Sequence, residues 1–160
     1  MVGEAIAEGI RPGANGDERF RIVVPVANPR TQRSLVRLAA ACARDHDRPE
    51  LIAVNVLEVP VQTALEQDLR FEKQRVKRQQ QLLDTASDIA QEFGVGIRTR
   101  AVVARDISDA ILEVVDDEGA DRLMIGWSGR RKQRDFVFGS NIDRIVQHCP
   151  VEVSLVKVRS

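Results

Sequence analysis

Gly126–Ser140, GWSGRRKQRDFVFGS, leads from an apolar segment through a basic loop to a Gly-Ser pair ahead of a helix. Gly126 and Gly129 permit close backbone approach. Arg130, Arg131, Lys132 and Arg134 supply positive charge, and Gly139-Ser140 opens a helix expected over Asn141–Gln147. The free N–H groups and positive dipole end of a helix N-terminus suit an anion. The stretch therefore reads as a strand–loop–helix unit that cradles phosphates.

The same alternation extends in both directions. Upstream, Arg21–Ala27 (RIVVPVA), Leu51–Leu57 (LIAVNVL), Ile97–Val103 and Arg122–Gly126 are apolar or alternating runs of strand length, and Val151–Val158 follows Pro150. Pro25 cannot donate to a ladder and belongs at the end of the first strand. Between the strands, Thr31 is expected to cap a helix to about Ala43 that turns Leu35, Leu38, Ala39 and Cys42 inward. Ala64–Phe93 carries the stripe Leu65, Leu69, Val76, Leu83, Ala86, Ala90 and Phe93, and Gly94 stops it. Its polar middle, KQRVKRQQQ, either projects beyond the sheet or breaks the helix in two. Asp106 or Ser108 caps a further helix with Ile107, Ala110, Ile111, Val114 and Val115 inward, ending near Gly119. Strands alternating with helices predict an α/β fold, a parallel sheet with helices on both faces. Ligands of such sheets bind outside the carboxyl ends of the strands at the topological switch point. The Gly126–Ser140 loop and the VPVAN turn both leave strands at that edge.

Composition narrows the rest. Lys+Arg and Asp+Glu balance at 24 each, so no global field favours nucleic acid. Residues 1–19 hold four glycines and a proline and read as a flexible tail or linker, with one domain over 20–160. Cys42 and Cys149 are too few and too far apart for a disulfide framework or zinc site and read as buried free thiols. No run approaches the ~20 apolar residues of a membrane helix, and Glu4 and Glu8 interrupt any signal pattern. A cytoplasmic protein is expected.

The spacing Gly126-x2-Gly129-x9-Gly139-Ser140 resembles the ATP-binding pattern of the universal stress protein family, G-x2-G-x9-G-[ST]. The VVPVAN opening, the order of elements and the closing PVEV strand are similar too. The resemblance implies a five-stranded parallel sheet of order 3-2-1-4-5, with helices on both faces, that often dimerises through the last strand. It also implies ATP or AMP as ligand, with Mg2+ only beside ATP. By position, Gly126 and Gly129 would lie against ribose and phosphates, and Gly139, Ser140 and Asn141 would grip phosphates. Ile125, Val56, Pro25 and Val26 would line the base and sugar pocket. One departure stands out, because the family's first-strand motif usually ends in an acid and here Ala27 takes that place, followed by Asn28. VPVAN-type domains also resemble stress-protein domains fused behind amino-acid permeases and antiporters.

Each feature has a plainer reading. The glycines could make surface turns, Ser140 with Asp143 could be a simple N-cap, and Arg130–Arg134 could be a solvated loop or close over phosphates. Trp127 reads as packing under the loop. His46 lies in a turn and His148 at a helix end, with no third ligand to make a metal site, and Asp116-Asp117 reads as an exposed helix end. Walker, nucleophile-elbow and deaminase motifs are all absent, so the chain reads as a regulator and not an enzyme, with slow ATP hydrolysis the most it would do. A nucleotide-free interaction module, alone or behind a transporter, is the alternative. Val151, Val153, Leu155, Val156 and Val158 form an apolar terminal strand that would be a liability unless paired, so a homodimer is expected through it.

Overall fold

Short runs rich in Val, Ile and Leu form β1 (Phe20–Pro25), β2 (Pro49–Glu58), β3 (Gly96–Ala104), β4 (Arg122–Trp127) and β5 (Glu152–Lys157). The computed structural model describes residues 19–59, 69–127 and 140–158, with the side chains of all but residues 69–71, 127 and 140. The strands pair in parallel in the order β3-β2-β1-β4-β5. Four helices alternate with them: α1 (Gln32–Ala43), α2 (Leu69–Glu92), α3 (Ile107–Asp117) and α4 (Ser140–His148).

Strand alternation sends successive side chains to opposite faces. Ile22 and Val24 of β1, with Val26 just beyond it, join Leu51, Ala53 and Met124 beneath α1 and α2. Val23, Ile52, Val54, Leu123 and Ile125 face α3 and α4 on the other side. Full burial of one such side chain contributes ~1.5–3 kcal/mol, so the central strands β1, β2 and β4 anchor the fold from both faces.

The helices differ from expectation in their rotation. Helix α1 buries Gln32, Leu35, Val36, Ala39, Ala40 and Ala43, whereas Leu38 is 39% exposed. The alanines let the helix approach the sheet closely, and that contact decides its rotation. In α2, Leu83, Ala86, Ile89 and Ala90 are buried, but Val76 is 49% exposed. The helix runs unbroken over Leu69–Glu92; residues 64–68, including Leu65, lie outside the described residues, as does the proposed N-terminal tail through residue 18.

Helices α2 and α3 end alike. Gly94 (φ +70°) and Gly119 (φ +58°) adopt the left-handed conformation that glycine enters without steric cost. Val95 N–H donates to the Ala90 carbonyl (3.2 Å) and Ala120 N–H to that of Val115 (3.1 Å). Both residues are buried, so each turn closes its helix and starts the next strand.

At the amino end of the sheet, buried Glu50 is held by Arg19 (3.2 Å), Arg21 (3.1 Å) and Arg98 (3.0 Å). Arg98 reaches on to Glu118 (2.6 Å), which also pairs with Arg100 (3.3 Å). Burial pushes the Glu50 pKa up, but hydrogen bonds and charge from Arg98 and Arg21 outweigh it and hold the carboxyl below its ordinary value. The Arg98 guanidinium is correspondingly raised, chiefly by its hydrogen bond to Glu50.

Candidate functional site

Pro25 is the last residue of β1, as its missing N–H requires. One further ladder bond, Val26 N–H to the Val54 carbonyl (2.8 Å), precedes the exit of the chain from the sheet. Asn28 then builds the turn. Its Oδ1 accepts from Arg30 N–H (2.9 Å), and its carbonyl accepts from Thr31 N–H (3.2 Å) and Gln32 N–H (3.0 Å). Thr31 does not cap α1 with its side chain; its hydroxyl donates to the Asn28 carbonyl instead (3.4 Å). The asparagine turn has taken the capping role, and it sets Gln32 in the first turn of α1 against the end of the sheet.

Because β1 leaves while β2 and β3 continue pairing to Glu58 and Ala104, the exposed carbonyls need other donors. Asn55 Nδ2, buried in β2, donates to the Val26 carbonyl (2.6 Å). Gln79 Nε2, buried on α2, donates to the carbonyls of Asn55 (2.8 Å) and Val102 (3.2 Å). These two amides explain the odd polar residue in LIAVNVL and one position of the polar middle of α2.

Above them lies an open cavity of about 890 Å³, within the size range of small-molecule sites. Pro25, Val26 and Ala27 form one wall, and Val54 through Glu58 form the floor. Gln32 of α1, Arg75, Arg78, Gln79, Gln81 and Thr85 of α2, and Ile107 and Ile111 of α3 are among the other lining residues. Arg75 is tied to the Glu58 carbonyl (2.8 Å). Gln32 is 3% exposed, and its Oε1 is the one buried side-chain oxygen or nitrogen among the described residues that has no hydrogen-bond partner.

The expected site residues divide into several groups. Pro25, Val26, Ala27 and Val56 do line the cavity. Asn28 is occupied with its turn. Ile125 is fully buried in the core facing α3 and α4, not in the cavity wall; strand parity turns it to that face. Gly126 is the penultimate residue of β4, and a Cβ there would meet Leu35 Cδ2 of α1 at 3.0 Å, so packing offers a reason for this glycine apart from any ligand. Ser140 begins α4. Asn141 Oδ1 accepts from the buried Ser108 hydroxyl (2.8 Å), which ties α4 to α3. Gly129, Arg130 and Gly139 lie outside the described residues, as do Arg131–Arg134.

Asp106 caps α3 as expected, its Oδ1 accepting from Asp109 N–H (2.9 Å). Of the terminal strand, Val151 and Val153 pack against the core facing α3 and α4, Val156 against the opposite core, and Val158 is buried. Leu155 is 53% exposed on this outermost strand. Both cysteines are free and only partly buried, and burial raises the Cys149 thiol pKa against a weaker opposing backbone hydrogen bond. His46 stacks on Phe20 at 3.6 Å. Among the described residues no His, Cys, Asp and Glu gather into a metal site, and no helix is long and apolar enough to cross a membrane.

Residues 18–157, which hold this five-stranded parallel sheet and the cavity where β1 and β2 end, match the model of the universal stress protein family. The chain belongs to that family. Among individual proteins, it is 30% identical over 137 residues to the Na(+)/H(+) antiporter NhaS5 of Synechocystis, covering 84% of this chain but 19% of the antiporter. It is 26% identical over 145 residues to a universal stress protein of Methanocaldococcus jannaschii, covering 87% of this chain and 84% of that protein. Among solved structures, the Archaeoglobus fulgidus universal stress protein in complex with dAMP has a TM-score of 0.61 at 21% identity, covering 86% of this chain and 98% of that one. An Arabidopsis thaliana family member with AMP bound has a TM-score of 0.63 at 18% identity, covering 88% and 92%.

Proposed function

We propose that this domain is a nucleotide-binding regulator that holds an adenine nucleotide, AMP or ATP, across the carboxyl ends of β1 and β2. The cavity of about 890 Å³ carries this reading: it lies at the edge where parallel sheets bind ligands, and β4, which leads toward the glycine-spaced sequence, is the neighbour of β1 in the sheet. Structures of family members with AMP and dAMP support it. Pro25, Val26, Ala27 and Val56 receive the nucleoside. Gly126, Gly129, Arg130, Gly139, Ser140 and Asn141 form the phosphate side. Mg2+ accompanies ATP only, and the activity is binding, with slow ATP hydrolysis the most it would do. Calorimetric titration with AMP, ATP and cyclic AMP tests this: saturable heat and a thermal shift are expected. Neither at millimolar ligand would overturn it.

The match to NhaS5 favours a second role, regulation of a membrane transporter by this domain. Cofractionation of the native protein with membranes that carry such a transporter is the expected result; recovery in the soluble fraction alone counts against it. The outer edge of β5 with exposed Leu155 supports a homodimer, which light scattering would detect as twice the chain mass.

A further inference from the structure

Charge is unevenly placed around the cavity. The charged side chains of its described lining are Glu58, Arg75 and Arg78. Arg75 and Arg78 are one helical turn apart on α2, a spacing at which like charges repel. The Glu58 carbonyl accepts from Arg75 Nη2 (2.8 Å) and holds that guanidinium over the end of β2. Glu72 approaches Arg75 only to 3.8 Å. Among the described residues Arg78 has no hydrogen bond or ion pair, and the Glu58 carboxylate pairs with neither arginine. By contrast, Arg98 and Arg100 at the other end of the sheet meet Glu118, and Arg144 meets Asp109 (2.8 Å). Two guanidinium groups on one wall of a concave site, one of them unpaired, suit a phosphate, which arginine binds through charge-assisted, bidentate hydrogen bonds.

Their position makes that phosphate a second one. Gln79, next to Arg78, reaches the Val102 carbonyl of β3 (3.2 Å), so this wall stands over the β2–β3 side of the sheet. The glycine-spaced sequence follows β4, on the opposite side of β1. Neighbouring strands are ~4.8 Å apart, which puts β2 and β4 ~10 Å from each other, farther than one phosphate group spans. We propose that the α2 wall is a second anion subsite, and that the domain takes a nucleotide carrying a further phosphate on its ribose. The inference rests on the nucleotide reading above. A 2′- or 3′-phosphate leaves the ribose on the side away from C5′, as an anion over β2 requires.

Calorimetry with AMP, adenosine 2′,5′-bisphosphate and adenosine 3′,5′-bisphosphate separates the two subsites. Wild type is expected to bind at least one bisphosphate about tenfold or more tighter than AMP. In Arg78→Gln, which keeps a good helix former at an exposed position, that advantage falls to about threefold or less, while AMP weakens by about twofold at most. Lys73→Gln controls for general charge, because Lys73 lines a separate shallow groove with Val76 and Lys77 and not the cavity; the advantage should survive it. Equal affinity of wild type for AMP and both bisphosphates overturns the second subsite and leaves the nucleotide reading standing. So does an advantage that persists in Arg78→Gln, or one that Lys73→Gln lowers as much. If Arg78→Gln weakens AMP as strongly as the bisphosphate, the arginine meets the single phosphate, contrary to the proposal. Failure of wild type to bind any of the three removes the nucleotide reading, and this inference with it.

Discussion

The two ends of this sheet are built in opposite ways. At the amino end, Glu50 is buried but meets three arginines, and the chain of ion pairs continues through Arg98 to Glu118 and Arg100. At the carboxyl end, β1 stops early, two buried amides cover the carbonyls it abandons, and Gln32 Oε1 stays without a donor above an open cavity. Polar groups at the first end complete one another within the fold. At the second they leave one demand outstanding. Stability is concentrated where the partners are internal, and the proposed binding site lies at the other end.

Removing the charge from Glu50 tests the first half of that contrast with the largest expected effect. Glu50→Gln leaves Arg21 and Arg98 around a neutral amide, and we expect a loss of about 2–3 kcal/mol in denaturant unfolding. The half-exposed Arg19 and Arg98 can recover water, which keeps the loss below that of a fully enclosed pair. A pH signature accompanies it. The folded pKa of Glu50 lies below the ordinary 4.5, so its stabilisation is complete above that value and is lost as pH falls through the folded pKa. Wild type should therefore lose its advantage over Glu50→Gln in acid below about pH 4.5. A constant difference across that range would show the charge to be irrelevant. Nucleotide affinity should not change, because the cluster is at the far end of the strands.

Asn55→Leu sharpens the second half. It removes the donor to the Val26 carbonyl and leaves that acceptor without its partner where β1 ends. A stability loss of about 1–3 kcal/mol is expected, smaller if water enters through the cavity to serve the carbonyl. Nucleotide should restore part of it only through binding, so the gain should follow ligand concentration. Ligand-independent recovery would show that the amide is not what covers the end of β1.

What could be seen in the sequence follows from how local each signal is. Strand–helix alternation, Pro25 at the end of β1, the Asp106 cap and the glycine stops are set within a few residues, and the chain spells them out. Helix rotation is not local. Leu38 and Val76 fit an apolar stripe but sit partly in solvent, because packing against the rest of the fold, not the stripe, decides which face of a helix is covered. Gln32, Asn55 and Gln79 line one cavity from separations of more than twenty residues. Asn55 was visible as an isolated polar residue in an apolar strand. Gln79 was hidden in a run of polar residues, and Gln32 followed a threonine that looked like the better cap. The glycine spacing pointed to the edge of the sheet at which the cavity lies, although much of the loop itself lies outside the described residues.

Gly126 is where the two ends of the contrast meet in one residue, since packing and ligand binding both offer a reason for it. A Cβ there would come within 3.0 Å of Leu35 Cδ2, the tip of a buried side chain that can yield only slightly. Gly126→Ala should cost about 1 kcal/mol from this overlap. Leu35→Val shortens the obstructing side chain and carries its own cavity penalty of similar size. If packing explains the glycine, the double variant loses less than the sum of the two, with a coupling of about 0.5 kcal/mol or more. If close approach to a nucleotide explains it, the stability losses add, and the defect of Gly126→Ala appears in AMP affinity whether or not Leu35 is shortened. Coupling in stability with unchanged affinity would assign Gly126 to the fold and leave the cavity wall and the loop beyond it to hold the ligand.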